Sequence, residues 1–276
     1  MDREFRFTDR DFTRIRALVS QHTGIALSEA KREMVYSRLV RRLRALRLES
    51  FEHYYTLLEA GDAGELVQFV NAVTTNLTAF FREAHHFDAL AATLLPELMR
   101  NQARNRRLRL WSAGCSTGEE PYSIAMVVQE TLPAAENWDV KILATDIDSN
   151  VLSTASRGIY SEERLSGISR PRLQRWFRKG TGANAGLVRV VPELQALISF
   201  RQLNLMHAWP MRQPFDVIFC RNVVIYFDKA TQRRLFDRFA NGLDRAGYLV
   251  VGHSESLFNI TERFALLGKT IYRKRQ

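Results

Sequence analysis

Cysteine is scarce in this chain. Cys115 and Cys220 are its only two, too few for a disulfide framework or a thiolate zinc site, and no metal is expected. No apolar run approaches the length needed to span a bilayer. The start, MDREFRFTDRDF, lacks the pattern of a secretory leader. The expectation is a cytoplasmic protein with reduced thiols and no membrane insertion. Internal repeats, low-complexity tracts and Gly/Ser linkers are also missing, so no composition break divides the chain sharply. Nor does any histidine argue for a catalytic base: His85 and His86 fall in a helix-like stretch, and His253 reads as structural.

What is present is ordinary for a globular fold. The 276 residues are 46% apolar and 11% aromatic, enough for one sizeable core or two domains. Forty Lys+Arg against thirty Asp+Glu give a net charge of +10. Such an excess suits a partner rich in negative charge, whether nucleic acid, anionic lipid or an acidic protein surface.

The first part of the chain reads as helical. Thr8 and Asp11 have the spacing of a reciprocal N-cap for TDRDFTRIRALVSQHTG, with Gly24 as its stop. Ser28 and Ser50 are candidate caps for two more helices. A fourth, from Gly64 to Val73, repeats apolar residues at Leu66, Phe69, Val70 and Val73. Residues 1–75 are therefore expected to form a small helix bundle.

From Leu108 onward, short apolar runs alternate with helical stretches: LRLWS, VKILATD, LISFRQL, FDVIFC, YLVVG and TIYRK. That alternation predicts an α/β fold with a mostly parallel, helix-covered sheet. In such sheets ligands bind beyond the carboxyl ends of the strands. The residues found there are AGCSTGEE after the first run, Asp146 and Asp148 after the second, Asn204 and Leu205 after the third, and Arg221 and Asn222 after the fourth.

Asp146 stands at the end of the strand after the glycine-bearing loop, where a nucleoside-binding sheet places an acceptor for ribose hydroxyls. The bland alternative is a cap for the helix beginning near Ser149. Gly114 and Gly118 bend the loop, yet Glu119 and Glu120 follow at once and would repel a pyrophosphate. A nucleoside carrying positive charge fits better, and S-adenosylmethionine has ribose, adenine, a sulfonium and an ammonium group. Against this, acids at a helix start are common simply because the helix dipole favours them.

TTNLTAFFRE at 74–83, WSAGCSTGEEPYSIAM at 111–126, ATDID at 144–148, FDVIFCRNVVIYFD at 215–228 and GHSESL at 252–257 together resemble the CheR family, the chemotaxis-receptor glutamate methyltransferases. The resemblance runs through nearly the whole chain in order. It implies an all-α N-terminal domain (1–75), then a Rossmann-like class I S-adenosylmethionine-dependent methyltransferase domain (76–276). A small antiparallel β-subdomain would be inserted at about 158–196. Carried over by motif, it implies cofactor contacts from Asn76, Thr78, Arg82, Glu119 or Glu120, Asp146, Asn204, Leu205, Arg221 and Asn222. The implied partners are methyl-accepting chemotaxis receptors, and a monomer is expected.

Methyl transfer from a sulfonium is an in-line displacement, so an enzyme must chiefly align two reactants and exclude water. A glutamate side chain is already ionised at neutral pH and needs no base. Arg82 has the fork that holds a carboxylate, and Tyr226 has a phenolic donor, so these two are the candidate positioning groups. The alternatives are a structural ion pair for Arg82 and a core aromatic for Tyr226. A nucleic-acid N-methyltransferase would typically want prolines and an aromatic after an Asn or Asp, and Asn222-Val223-Val224-Ile225 lacks them. A non-catalytic signalling module would have little use for Arg82, Asp146 and Tyr226 together.

Two further segments suggest receptor contacts. Residues 31–48 carry seven Lys/Arg against the single Glu33, with Arg38, Arg41 and Arg42 on a helix whose other side carries Leu39, Leu43 and Leu46. The face is either merely solvated or steers an acidic receptor helix. Between the second and third central strands, RWFRKGTGANAGLVRVVPEL sets two β-prone runs around Gly180, Gly182 and Gly186, as a hairpin requires. Its edge either shields the sheet or accepts an extended peptide. In some family members this subdomain docks a C-terminal receptor peptide.

Overall fold

The computed structural model describes residues 4–132 and 137–275. Four helices come first: α1 (Asp9–Thr23), α2 (Arg32–Leu46), α3 (Phe51–Glu59) and α4 (Ala63–Val73). Thr8 and Asp11 form the reciprocal cap of α1, and Gly24 ends it at φ 75° with its N–H on Ser20 O. Ser50 caps α3 through His53 N. Ser28 instead precedes a 3-10 turn (Glu29–Lys31) and makes no side-chain cap hydrogen bond, so α2 starts from that turn. Asp62, one turn ahead of the apolar periodicity, caps α4 through Glu65 N. Phe12, Ile15 and Val19 of α1 meet Val35, Leu39 and Leu43 of α2 and Phe51, Tyr54, Tyr55 and Phe69 beyond, in a core of their own.

After an irregular stretch, α5 (His85–Ala89), a π-helical turn (Leu90–Leu94) and α6 (Leu95–Asn101) run on continuously. There follow β1 (Arg107–Ala113), α7 (Glu119–Thr131), β2 (Asp139–Asp146), α8 (Ser149–Arg157), β3 (Ile159–Ser161), α9 (Arg170–Trp176), β4 (Phe177–Lys179), β5 (Leu187–Val190), α10 (Pro192–Gln195) and β6 (Ile198–Gln202). The chain closes with β7 (Phe215–Cys220), α11 (Lys229–Gly242), β8 (Leu243–Val251), β9 (Phe264–Gly268) and β10 (Ile271–Lys274).

Seven strands form one sheet in the order β6-β2-β1-β7-β8-β10-β9. The first five pair in parallel, and β10 pairs antiparallel with both β8 and β9. From β1 the chain moves outward through β2 to β6, then returns to lay β7 on the other side of β1. This reversal opens a crevice at the carboxyl ends of β1 and β7. Every residue of β7 is buried, as a central strand covered on both faces should be. β9 was not read from sequence; it is an edge strand that leaves Leu266 and Leu267 exposed.

The stretch 158–196 folds as a second, three-stranded antiparallel sheet in the order β3-β5-β4. Gly180 sits at the tight point of the β4–β5 hairpin, where a Cβ would lie 2.2 Å from Asn184 O. β3 escaped the sequence reading, being only three residues long. Phe80 anchors this small sheet, its ring 5.0 Å from that of Tyr160 and 5.5 Å from that of Phe177.

Candidate active site

A cavity of about 450 Å³ lies between the helical bundle and the carboxyl ends of β1, β2, β6 and β7, within the usual size range for small-ligand sites. Asn76, Thr78, Arg82, Glu120, Asp146, Asn204, Leu205, Arg221, Asn222 and Tyr226 all line it. These residues span 150 positions of sequence and are brought to one place by the strand order.

Gly114 makes that convergence possible. It takes φ 90°, and a Cβ there would lie 2.4 Å from Val223 Cγ2, so the loops after β1 and β7 touch only because it has no side chain. Asp146, at the end of β2, accepts from Ser116 N at 2.8 Å and Asp148 N at 3.0 Å. A carboxylate has about four lone-pair sites, so Asp146 keeps acceptor capacity toward the cavity. Burial raises its pKa to about 6 despite those two N–H donors. The helix-cap alternative goes to its neighbour: Asp148 caps α8 through Asn150 N and Val151 N. Asp148 also accepts from Thr74 Oγ1 at 2.9 Å and Asn76 Nδ2 at 2.7 Å, which ties the linking segment to the strand ends.

The paired acids separate. Glu120 lines the cavity, accepting from Ser112 Oγ at 2.7 Å and from Arg221 Nη1 at 3.0 Å. Glu119, wholly buried, does not line it; it accepts from Thr117 Oγ1 at 2.6 Å and pairs with Arg164 of the inserted subdomain. Consecutive residues point about 100° apart on a helix, so the two could not share one task. Within the chain, Arg221 places one positive charge beside Glu120. Arg221 also lies 3.5 Å from Glu83 and donates to Arg82 O.

Arg82 donates to Leu77 O at 2.9 Å and, among the described residues, forms no ion pair. Tyr226 is half-buried in a 3-10 turn (Val224–Tyr226) on the cavity wall, not in the core. Asn204 is held by His22 O at 2.6 Å and accepts from Met206 N at 2.9 Å, so its amide is already engaged. Leu205 and Val223 bring apolar surface.

Several contributors were not read from sequence. Ile25, Leu27, Ser28, Lys31 and Met34 give the cavity a wall from the helical bundle. Glu255, buried in the GHSESL segment, accepts from the backbone N–H groups of Gly252, Asn222, Val223 and Val224 at 2.5–2.9 Å. One carboxylate thus shapes the turn that carries Asn222 and Tyr226. Glu255 sits among small polar residues in GHSESL, and three of its targets lie more than thirty positions away.

The basic helix is less open than its sequence suggests. Arg42 pairs with Glu65, which is 5% exposed and also accepts from Tyr54 at 2.7 Å. Arg38 donates to the carbonyls of Ala72 and Thr74 at the end of α4. Two of the three expected receptor-facing cations, Arg38 and Arg42, are therefore turned to internal partners, whereas the third, Arg41, is exposed. Gly180, Gly182 and Gly186 lie on the hairpin and do not line the cavity.

Comparison with known proteins agrees with this architecture. Residues 10–74 match the family model described as CheR methyltransferase, all-alpha domain, and residues 76–273 match CheR methyltransferase, SAM binding domain. Chemotaxis protein methyltransferase 2 of Pseudomonas aeruginosa is 50% identical over 98% of this chain and 95% of its own length. The chemotaxis protein methyltransferase of Escherichia coli is 48% identical over 99% of this chain and 93% of its own. Magnesium protoporphyrin IX methyltransferase from Synechocystis, with bound SAM, overlaps at a TM-score of 0.38 and 13% identity, covering 70% of this chain and 80% of that one, too slight a likeness to bear on the site. With both parts of the chain matched and relatives near half identity over its whole length, the chain belongs to the CheR methyltransferase family.

Proposed function

We propose that this S-adenosylmethionine-dependent methyltransferase of the CheR family esterifies glutamate side chains of methyl-accepting chemotaxis receptors. The observation that carries the carboxylate acceptor is Arg82, a guanidinium on the cavity wall with no ion-pair partner among the described residues. An incoming carboxylate would supply one, in the fork geometry that arginine favours. The names of the relatives point to chemotaxis, and the excess of positive charge suits acidic receptor helices.

Bound S-adenosylmethionine supplies an electrophilic methyl group on a sulfonium. Asp146 is assigned to the ribose hydroxyls, and Glu120 to the positively charged end. Leu205 and Val223 would offer apolar surface to the base, with Asn76, Thr78, Asn204, Arg221 and Asn222 completing the polar lining. Arg82 and Tyr226 are assigned to holding the acceptor carboxylate, Tyr226 by donating its phenolic proton in a hydrogen bond. No group need remove a proton, because the nucleophile is already an anion. Arg41 is assigned to receptor steering, and the β4–β5 hairpin to an extended receptor peptide added along its edge.

The test uses labelled S-adenosylmethionine and receptor-containing membranes. Incorporation that is stable at neutral pH and released as methanol by alkali is expected for a carboxyl ester. Label that resists alkali would mean methylation of nitrogen, and would overturn the reading.

A further inference from the structure

Behind Arg221, outside the cavity lining, Glu83, His85 and His86 gather at the start of α5, each offering a ligand atom within 4.8 Å of the others. His86 is fully buried. Its Nε2 lies 2.9 Å from Lys269 O and 3.0 Å from Thr270 Oγ1. The Thr270 hydroxyl donates elsewhere, to Val251 O at 2.8 Å, so both neighbours of Nε2 act as acceptors and the proton belongs on that nitrogen. Neutral His86 therefore presents a bare lone pair at Nδ1. Among the described residues that atom has no hydrogen-bond partner, and it faces a Glu83 oxygen 3.5 Å away.

Two lone-pair atoms held that close in a buried place repel one another unless a cation lies between them. The same Glu83 oxygen accepts from His253 N at 3.0 Å and lies 3.5 Å from Arg221, so the carboxylate is held in place while no donor reaches Nδ1 among the described residues.

We propose that Glu83, His85 and His86 bind a divalent transition-metal ion of the zinc type, through His86 Nδ1, a His85 ring nitrogen and the Glu83 carboxylate, with water completing the shell. Two imidazoles and a carboxylate suit zinc, cobalt or nickel. The Nε2–H of His86 on Lys269 O is the outer support that fixes the tautomer of a ligating histidine. Arg221 opposes the ion, but its charge is also shared with Glu120 at 3.0 Å. His253 Nδ1 holds the other Glu83 oxygen at 2.9 Å, which orients the carboxylate. Since none of the three ligands lines the cavity, the ion would act as a fastening behind Arg221 and Asn222 and would take no part in the chemistry.

Full-length protein, free of any affinity tag and stripped with chelator, is titrated with Co²⁺ and followed by its visible absorption. One equivalent should bind with the intense bands of a low-coordinate site, and Zn²⁺ should displace it. His85→Ala, at a half-buried position, should remain folded and weaken binding roughly tenfold or more. His86→Asn should do the same, with circular dichroism checking the fold. Absence of stoichiometric cobalt binding to the folded wild type would overturn the proposal. So would binding of undiminished strength to folded His85→Ala.

Discussion

Arg221 donates to the Glu120 carboxylate at 3.0 Å across 101 positions of sequence, joining the loop after β7 to the first turn of α7. The acid that faces the cavity is thus already partly neutralised, while its neighbour Glu119 serves the inserted subdomain through Arg164. Glu120→Gln should therefore weaken S-adenosylmethionine binding by about 1–3 kcal/mol, from the loss of a charged acceptor. Glu119→Gln should lower thermal stability and leave cofactor affinity nearly unchanged. Calorimetry on both folded variants decides; equal losses would remove the distinction between the two acids.

Asp146 gives a pH signature. Its carboxyl titrates near 6 because it is buried, above the ordinary value for Asp. In the free protein this acid contributes stability that is full below the unfolded pKa and is lost as pH rises through about 6. Cofactor binding runs the other way, since ribose hydroxyls need the ionised acceptor. Affinity should be level above pH 7 and fall toward about tenfold per unit below 6. The dependence should vanish in Asp146→Asn, whose affinity is lower throughout. A wild-type affinity that is flat from pH 5 to 8 would contradict the ribose assignment.

Tyr226 stands on the turn that Glu255 holds by backbone N–H groups. Tyr226→Phe keeps the ring and removes the hydroxyl. Single-turnover methylation at saturating cofactor and receptor should slow by roughly ten- to a hundredfold, equivalent to about 1.4–2.7 kcal/mol. Cofactor affinity should barely change. An unaltered rate would leave Arg82 as the sole positioning group.

Arg41 and Arg42 are adjacent but differ in surroundings. Arg42→Ala leaves Glu65 buried without its counter-charge and should cost roughly 2 kcal/mol or more of stability in denaturant titration. Arg41→Ala should leave stability intact, slow methylation at limiting receptor and reduce its salt dependence, because steering is screened over about 8 Å at physiological ionic strength. If the Arg41 variant matches wild type in rate and salt response, that face is merely solvated.

Much of the fold was legible because its signals are local. The reciprocal cap of Thr8 and Asp11, the positive-φ stop at Gly24, and the buried runs of β1, β2 and β7 each need only a few neighbours. β9 lacked such a signal, since an exposed edge strand has no two-sided burial to write into its sequence. Nor could periodicity tell Glu119 from Glu120, because both begin the same helix and only the packing of the inserted subdomain separates them. Arg38 and Arg42 look like free surface cations until α4 is folded against α2. The parts of the site that stayed hidden, Glu255 under the 222–225 turn and the wall from Ser28 to Met34, depend on contacts between segments remote in sequence.

The most direct measurement is peptide mapping of a receptor after incubation with the enzyme and S-adenosylmethionine. The expected result is the mass increment of one methyl group on particular glutamates of its acidic helices, reversed by mild alkali and abolished when Arg82 is replaced by Ala. Methyl groups found instead on lysine, arginine or histidine, or undiminished glutamate methylation by folded Arg82→Ala, would contradict a carboxylate acceptor held by this cavity.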